Sequence, residues 1–442
     1  MKLLRIFSHP LGPLCTLLAT ASAYAQAPTE LTMGQAVQIA MQQQPSLRQQ
    51  RAQVEAARGR VDAVRTNLKP QVTVSGGVDV GGGQGQDIRN LNYGFSLGAS
   101  ANWRITDFGQ TRAQVRAAEL NVEAAAAGTQ TNVLDVRTDV EISYLEAVAR
   151  ARLVGVADAA VRSEELHLDQ AKRFVAAQAK DPIEVTQAAA RAALAKASRA
   201  QAQSNAAVAL ANLRGAIGWV DPAQTLAVGL TWPTAPVTTA PPSLVALVQT
   251  ARGKRPELAQ LDKQVEAAEA NITGAQMSRR PVLSATARSS WSPGGSYAED
   301  PSAMAFASTW DLNHPSWSVG LNLSWLIYDG GRQKADVRVA RANRESALAQ
   351  RDALLLSLTT QLDANRAQIE ANQASIIAST EAVDAARAQL RLAEARYANG
   401  LGSQIELADA QFAVTSAEGT LIQAEWQLAT AWASLRRAVG TP

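Results

Sequence analysis

The chain of 442 residues carries 42 lysines and arginines against 39 aspartates and glutamates, and it has one cysteine. Its formal net charge of +3 falls by two, to +1, when Lys2 and Arg5 are removed with the leader described below. A balance so close to neutral gives no basic surface for nucleic acid. One cysteine excludes a disulfide framework and a thiolate metal site.

The first 25 residues are typical of a cleaved secretory signal peptide. Lys2 and Arg5 precede the apolar run Leu11–Ala19, and Ala23–Ala25 has the small residues of a cleavage site. Because Cys15 lies inside the apolar run, lipidation is not expected. Beyond this leader no run approaches the roughly 18 apolar residues of a membrane helix, so any membrane-embedded part must consist of strands.

The rest of the sequence is organised as two copies of one plan. A large apolar residue recurs at every seventh position, the heptad pattern of packed helices, in Leu355, Leu362, Ile369, Ile376, Val383, Leu390 and Tyr397. The positions 222 residues earlier are also apolar: Val133, Val140, Ala147, Val154, Val161, Leu168 and Val175. This predicts two internal repeats, residues 26–218 and 244–442, joined by a connector at 219–243 that is rich in Pro, Thr and Gly.

Repeat 1 begins with helices and continues with a hairpin. The helical pattern breaks at Gln44-Pro45, because proline disfavours helical backbone in the residue before it, and resumes at about 46–68. Over about 71–105 apolar and polar residues alternate, which predicts two strands with one apolar face. Gly81–Gly85 lacks the Gly-Lys-Ser/Thr of a phosphate loop and is interpreted as the hairpin loop. Two helices complete the repeat, at about 107–177 and 183–217.

Repeat 2 has the same order: helices, a hairpin at about 282–327, a long helix at about 329–398 and a short helix at about 404–439. Equivalent residues are 211 apart before the strands, as in Pro45 and Pro256, and 222 apart after them, as in Asp107 and Asp329. The difference between these offsets predicts that 11 residues are inserted in the loop of the second hairpin, which is placed at 292–315 and is expected to be exposed.

The strands and helices together favour a tube that several chains share. Each strand is roughly 10 to 13 residues long, the size of a tilted membrane strand. Four strands cannot close a barrel, and lipid does not tolerate open edges, so several copies must share one barrel. In each repeat the two shorter helices together match the long helix, which predicts a wall of four antiparallel columns per chain.

Two short motifs and the duplicated order of elements resemble TolC-family outer-membrane channels. The motifs are Tyr328–Gly331 after the last strand and Arg396–Ser403 at the second helical turn. The resemblance implies mixed α and membrane β structure: a long antiparallel α-helical coiled-coil barrel, with four strands per chain in a shared 12-stranded trimeric β-barrel and the connector in the equatorial region. It also implies the outer membrane of a Gram-negative bacterium, with the helices projecting into the periplasm.

Glu406 and Asp409 lie three residues apart and so share a face of the last helix. The resemblance implies that this face lines a pore constriction near the closed periplasmic end, where three chains would form two stacked carboxylate rings that attract cations. Glu184 matches Glu406 in repeat 1, whereas Gln187 replaces the second acid. The alternative is that these are solvated acids stabilised by a helix dipole. Where family members carry a larger polar or basic residue that ties the closed end, this chain has Gly402.

The resemblance also implies that the two helical turns dock a periplasmic adaptor. The alternative is simple turn chemistry, in which glycine supplies unusual backbone angles, and both interpretations can hold together. The residues concerned are Gln178, Ala179, Lys180 and Asp181 in the first turn, and Asn399, Gly400, Leu401, Gly402 and Ser403 in the second.

Several aromatic residues occur near the strand ends. On a membrane barrel they would form girdles at the two interfaces with water, whereas in a soluble sandwich they would be core. They are Tyr93, Trp103, Phe108, Trp317, Trp325 and Tyr328.

The sequence therefore predicts a passive exit duct of a tripartite efflux pump or type I secretion system. Such a duct is a homotrimer in outer-membrane lipid that receives substrate from a periplasmic adaptor and an inner-membrane transporter. The alternative is a periplasmic coiled-coil adaptor or scaffold without its own pore, which explains the heptads but not the hairpins. An enzyme is not expected, because His167 and His314 lack metal-like neighbours and no nucleophile motif occurs. No cofactor or metal is expected, and drug, metal and polypeptide substrates all stay open.

Overall fold

The computed structural model describes residues 31–82, 90–220, 228–229, 232, 239–300 and 305–441. The expected signal peptide, residues 83–85 of the glycine-rich stretch and most of the connector lie outside the described residues.

Eight α-helices and one short 3₁₀-helix (Thr66–Leu68) lie within the described residues, and local signals determine where the α-helices begin. Thr32 caps the first helix in a capping box with the third helical residue. Gln44 is extended and Pro45 occupies the first turn of the second helix, and Arg255 and Pro256 repeat this arrangement. The helices are α1 (Met33–Gln43), α2 (Pro45–Arg65), α3 (Gln110–Ala176), α4 (Ile183–Ile217), α5 (Leu244–Lys254), α6 (Pro256–Met277), α7 (Arg332–Ala398) and α8 (Gln404–Val439).

The helices form a wall of four columns. α3 and α7 contain 67 residues each, which corresponds to a length of about 100 Å. α3 packs between α2 and α4 on one side and α6 and α8 on the other, and α7 packs against α6 and α8. The columns are therefore α2/α4, α3, α6/α8 and α7, and the outer sides of α2/α4 and α7 are the lateral edges of the wall. None of the described helices combines the length and apolar character needed to cross a bilayer.

The heptad positions form the buried seam of this wall. Leu362 and Ile369 of α7 and Val140 of α3 are fully buried. Asn372 and Ser379, which lie between heptad positions, are buried as well, so small polar residues alternate with large apolar ones. A seam this narrow lets long helices pack side by side in one layer while their other faces remain exposed.

The strands form one antiparallel sheet. β1 (Gln71–Gly82) pairs with β2 (Asn90–Thr106). On the other side of β2, β3 (Val282–Trp291) and β4 (Gly294–Asp300) pair with it in succession. β5 (Ala305–Asp311) pairs with β4, and β6 (Ser316–Ser324) pairs with β3. The chain thus contributes four strand positions, of which the last two are each interrupted once.

The expectation of a loop at 292–315 is wrong, because β4 and β5 extend the second hairpin through most of that range. Gly81 and Gly82 likewise belong to β1 rather than to a loop. β2 has 17 residues and is long enough to pair with both β3 and β4. A Cβ at Gly294 would lie 3.1 Å from the carbonyl oxygen of Tyr93, so this glycine allows the two strands to approach closely.

One face of the sheet is apolar across all four strand positions. Val72, Ala101, Ala287 and Val319 are paired in one row from β1 to β6, and the neighbouring row is polar. The four valines at 72, 74, 78 and 80 are 69 to 77% exposed. Within the described residues this apolar face is uncovered, so the aromatic residues are not the core of a two-sheet sandwich.

Candidate functional site

Two helical turns lie at the ends of α3 and α7 that are far from the sheet. Both close in the same way: the N–H groups of Ala179 and Leu401 each donate over 2.9 Å to the carbonyl group five residues earlier. The preceding residue is left-handed in both, Gln178 with φ +57° and Gly400 with φ +74°. The first turn therefore carries a side chain where the second has glycine, at a cost of about 1 kcal/mol.

The two turns are joined to each other. Lys180 Nζ donates to the carbonyl oxygen of Gly402 over 3.2 Å, and Arg191 Nη1 donates to that of Gln404 over 3.0 Å. Gly402 is buried, and a Cβ there would lie 3.1 Å from the backbone nitrogen of Tyr397. The chain thus joins its turns through a lysine of the first and the backbone of the second.

Behind this joint lies a group of four side chains, the tip cluster, formed by Phe174, Lys180, Glu184 and Tyr397. Tyr397 is 1% exposed and donates its hydroxyl to Glu184 Oε2 over 3.0 Å. Lys180 Nζ lies 3.4 Å from Glu184 Oε1 and 5.3 Å from the Tyr397 ring centre, and the Phe174 ring meets that ring edge-on at 5.6 Å. Burial and then the Glu184 carboxylate raise the pKa of Tyr397, which keeps the phenol protonated as a donor.

The structure places the three predicted pore acids in two settings. Glu406 and Asp409 are both exposed near the start of α8. Ser403 caps this helix by accepting the Glu406 N–H over 3.1 Å, and Arg396 Nε lies 3.0 Å from Glu406 Oε1. Glu184 is instead half-buried in the tip cluster. Two of the acids therefore face solvent, and the third holds the turns together.

Most of the predicted docking residues are exposed. Lys180 and Gly402 face the joint between the turns, and Leu401 is 75% exposed. Asp181 is exposed and accepts the N–H of Ile183 over 2.9 Å, which orders the entry into α4. The exposed members are Gln178, Ala179, Asp181, Asn399, Gly400, Leu401 and Ser403.

The predicted interface aromatics lie at different heights on the sheet. Tyr93 lies on the part of β2 that is far from the helices. Trp317 is the second residue of β6 and is paired with Ser289, but β5 continues the sheet beyond it, so Trp317 lies at mid-height. Four others are exposed where the sheet meets the helices: Trp103, Phe108, Trp325 and Tyr328.

A charged network at the opposite end of α8 was not predicted. Arg437 Nη2 lies 2.5 Å from Glu257 Oε1 and 2.6 Å from Asp135 Oδ1, which joins α8 to α6 and α3. Arg436 adds a contact of 2.9 Å to Glu141. Burial raises the pKa of Glu257, but hydrogen bonds from its own backbone and from Arg437 outweigh burial and hold this pKa below its ordinary value. The sequence signal is a pair of arginines in a last helical turn, which the helix dipole favours.

A helical wall that continues into an open sheet with one apolar face is the architecture of a channel-forming outer-membrane protein. The family model described as "Outer membrane efflux protein" matches residues 36–219 and 247–441. The chain belongs to this family, whose members are channels rather than enzymes. The resemblance to TolC-family channels is thereby confirmed.

Individual relatives are similar to most of the chain. Protein CyaE of Bordetella pertussis (strain Tohama I) is 27% identical over 332 residues, which are 72% of this chain and 65% of CyaE. The chain thus spans less than two thirds of that relative. The solved structure of CusC gives a TM-score of 0.77 at 18% identity, covering 94% of this chain and 93% of CusC. VceC of Vibrio cholerae gives 0.73 at 19% identity, covering 92% and 96%.

Proposed function

We propose that three copies of this chain form a passive exit duct in the outer membrane of a Gram-negative bacterium, as part of a tripartite efflux pump or type I secretion system. An inner-membrane transporter and a periplasmic adaptor pass substrate into the helical tunnel, and the barrel releases it outside. The duct itself supplies no energy, which comes from the inner-membrane partners.

The open sheet carries this proposal. β1 and the β5/β6 position are the two edges of the sheet. Val78 in β1 and Trp317 in β6 are both exposed. Because lipid leaves no water to satisfy unpaired backbone groups, the edges of one copy must pair with those of the next. Three copies of four strands close a 12-stranded barrel, within the range of known outer-membrane barrels.

The helical wall supports the same assembly. Its lateral edges, α2/α4 and α7, meet between copies in the way that α3 meets α6/α8 within one chain. The order of two short helices, paired strands, a long helix and a further helix occurs twice, which supports two internal repeats. The aromatics where the sheet meets the helices form the periplasmic girdle, and Tyr93 lies toward the outer interface. Trp317, at mid-height, belongs to neither girdle.

The joined turns form the periplasmic end of the duct. Glu406 and Asp409 are free of the tip cluster and carry the negative charge of the pore constriction. Glu184 acts differently, because it holds Tyr397 and Lys180 and so ties the turns at this constriction. The exposed turn residues dock the adaptor.

The first test is the location and mass of the protein after expression with its own leader in a Gram-negative host. An outer-membrane trimer in detergent is expected. A soluble periplasmic monomer would refute the duct and favour a scaffold protein.

Disulfide cross-linking sharpens this test, because beyond residue 25 the sequence contains no cysteine. Val72 and Val319 lie at opposite ends of one paired row, three strand spacings or about 14 Å apart, too far for a disulfide within one chain. Val72→Cys is combined in turn with Val319→Cys, Leu321→Cys and Leu323→Cys. At least one pair should give covalent trimers upon oxidation, whereas Val72→Cys alone should not. Absence of cross-linked trimers in all three would contradict the shared barrel.

A further inference from the structure

A groove runs along α3 between α4 and α8. Its volume is about 830 Å³, the size of a site for one small ligand. Leu153, Val156 and Ala160 of α3 form part of the floor. On the walls, Leu194 of α4 and Phe412 of α8 are 68% and 74% exposed. Such large exposed apolar side chains on both walls of one groove indicate a binding surface.

One charged side chain on the floor lacks a partner. Glu164 is 8% exposed, and its Oε2 is buried without a hydrogen-bond partner. Burial raises the pKa of Glu164, and Arg191, which also lines the groove, opposes this only in part. The Arg191 guanidinium is instead bonded to the carbonyl oxygen of Gln404 at 3.0 Å. A buried acceptor with no donor is costly, and a ligand that brings a donor removes that cost.

The charge facing the groove is negative. Glu164 and Asp409 contribute two carboxylates, and Arg191 contributes one guanidinium. His167 lies one turn from Glu164 and is bonded to Ser163 over 3.1 Å. Burial lowers the pKa of His167, so its ring adds no positive charge near neutral pH.

We propose that this groove binds a small amphiphilic organic cation, with its ammonium group at Glu164 and its apolar body between Leu194 and Phe412. The ammonium supplies the donor and the positive charge that the buried carboxylate lacks. The apolar body removes the exposed side chains on both walls from water. A neutral ligand of the same shape can at most donate a hydrogen bond and brings no positive charge to the carboxylate, and an anion is repelled.

The test uses naphthylmethylammonium as the probe and naphthylmethanol as its neutral counterpart of similar shape. Equilibrium dialysis measures their binding to the full-length protein in detergent, against protein-free detergent. The ammonium should bind saturably, and Glu164→Gln should weaken it about tenfold or more. Phe412→Ala should weaken both ligands, and because Phe412 is exposed its truncation should leave the fold intact. Glu165→Gln is the matched control, since Glu165 is exposed and bonded to Lys196 over 2.8 Å, and it should bind as the unmodified protein does.

Four results would overturn the proposal. One is the absence of saturable ammonium binding, and another is alcohol binding as tight as ammonium binding. The third is an affinity in Glu164→Gln equal to that of the unmodified protein. The fourth is a loss of the same size in Glu164→Gln and Glu165→Gln, which would indicate general surface charge.

Discussion

Replacing Arg437 by methionine tests the charged network at the C-terminal end of α8. Methionine retains an apolar stem but leaves Glu257 and Asp135 without their shared partner. The Arg437 and Glu257 side chains are 16% and 17% exposed, whereas Asp135 is 45% exposed. Removing one partner of a buried pair costs roughly 3 to 5 kcal/mol. Because Arg255 Nε remains 3.2 Å from Glu257 Oε2 and the Asp135 contact is largely solvated, we expect the lower end of this range, about 3 kcal/mol. An unfolding entropy of about 2.1 cal/mol/K per residue converts this to a fall in Tm of about 3 °C for a chain of this length.

The effect should depend on pH in a defined direction. The pKa of Glu257 in the folded protein is below its ordinary value of 4.5. The stability contributed by this ion pair is therefore fully present above that value and is lost as pH falls through the lowered pKa. Thermal unfolding followed by circular dichroism from about pH 7 to about pH 3 should show the difference between Arg437→Met and the unmodified protein shrinking on the acid side.

The control for this experiment is Arg252→Met, on an exposed position of α5, which should leave Tm unchanged. An unchanged Tm in Arg437→Met would refute the role of the network. A loss of equal size at every pH would show that packing of the arginine stem, rather than its charge, stabilises the end of α8.

Three further changes address the turns and the pore. Gln178→Gly should relieve about 1 kcal/mol of left-handed backbone strain, and the greater conformational entropy of glycine in the opened turn should offset about half of this gain. The amide hydrogen of Ala179 should therefore exchange about twofold more slowly. Tyr397→Phe removes the hydrogen bond to Glu184, worth roughly 1.5 to 3 kcal/mol, and should speed hydrogen exchange in both turns about tenfold or more. Glu406→Gln combined with Asp409→Asn should reduce cation selectivity, measured as the reversal potential of single channels in a salt gradient.

Each of these changes has a matched control. Ala179→Gly lies beside the left-handed position and should not slow exchange; a slowing equal to that in Gln178→Gly would argue against relief of strain. Tyr328→Phe, at an exposed position, should leave the turns unchanged, and unaltered exchange in Tyr397→Phe would count against the tip cluster. Glu381→Gln removes an exposed acid from α7 and is the control for the pore variant. If Glu406→Gln combined with Asp409→Asn shifts the reversal potential no more than this control does, the carboxylate rings are contradicted.

The limits of the helices depend on local signals and could be predicted. α4 lies between Pro182 and Gly218, and α8 lies between Ser403 and Gly440, residues that begin or end helices through fixed dihedral angles or caps. The heptad spacing also explains why Tyr397 is buried. It does not identify the acceptor of its hydroxyl, because Glu184 lies 213 residues away and is brought close only by packing of the columns.

The second hairpin shows why other features could not be predicted. Gly294 and Gly295 are typical of a loop, but they lie in β4 because residues 90–94 of β2 pair with this segment. The partner of a strand is not encoded in its own residues, so an insertion in a hairpin is compatible with either a longer loop or longer strands. The same limit applies to Arg437, whose partners lie on two other helices.

On one side α3 packs against α2 and α4, which belong to the same half of the chain. On its other side it packs against α6 and α8, which belong to the second half. A chain consisting of one half would expose two such lateral faces and could cover them only with further copies of itself. Duplication within one gene would convert a ring of identical short subunits into one with half as many longer subunits, and equivalent positions would then be free to diverge. Under such a duplication Lys180 and Gly402, which are 222 residues apart, would be equivalent positions, and in the folded chain the Lys180 ammonium donates to the Gly402 carbonyl oxygen. The bond needs a lysine on one side and only a backbone carbonyl group on the other, where a Cβ would lie 3.1 Å from the backbone nitrogen of Tyr397. The end of the wall far from the sheet is therefore joined by residues that differ between the halves.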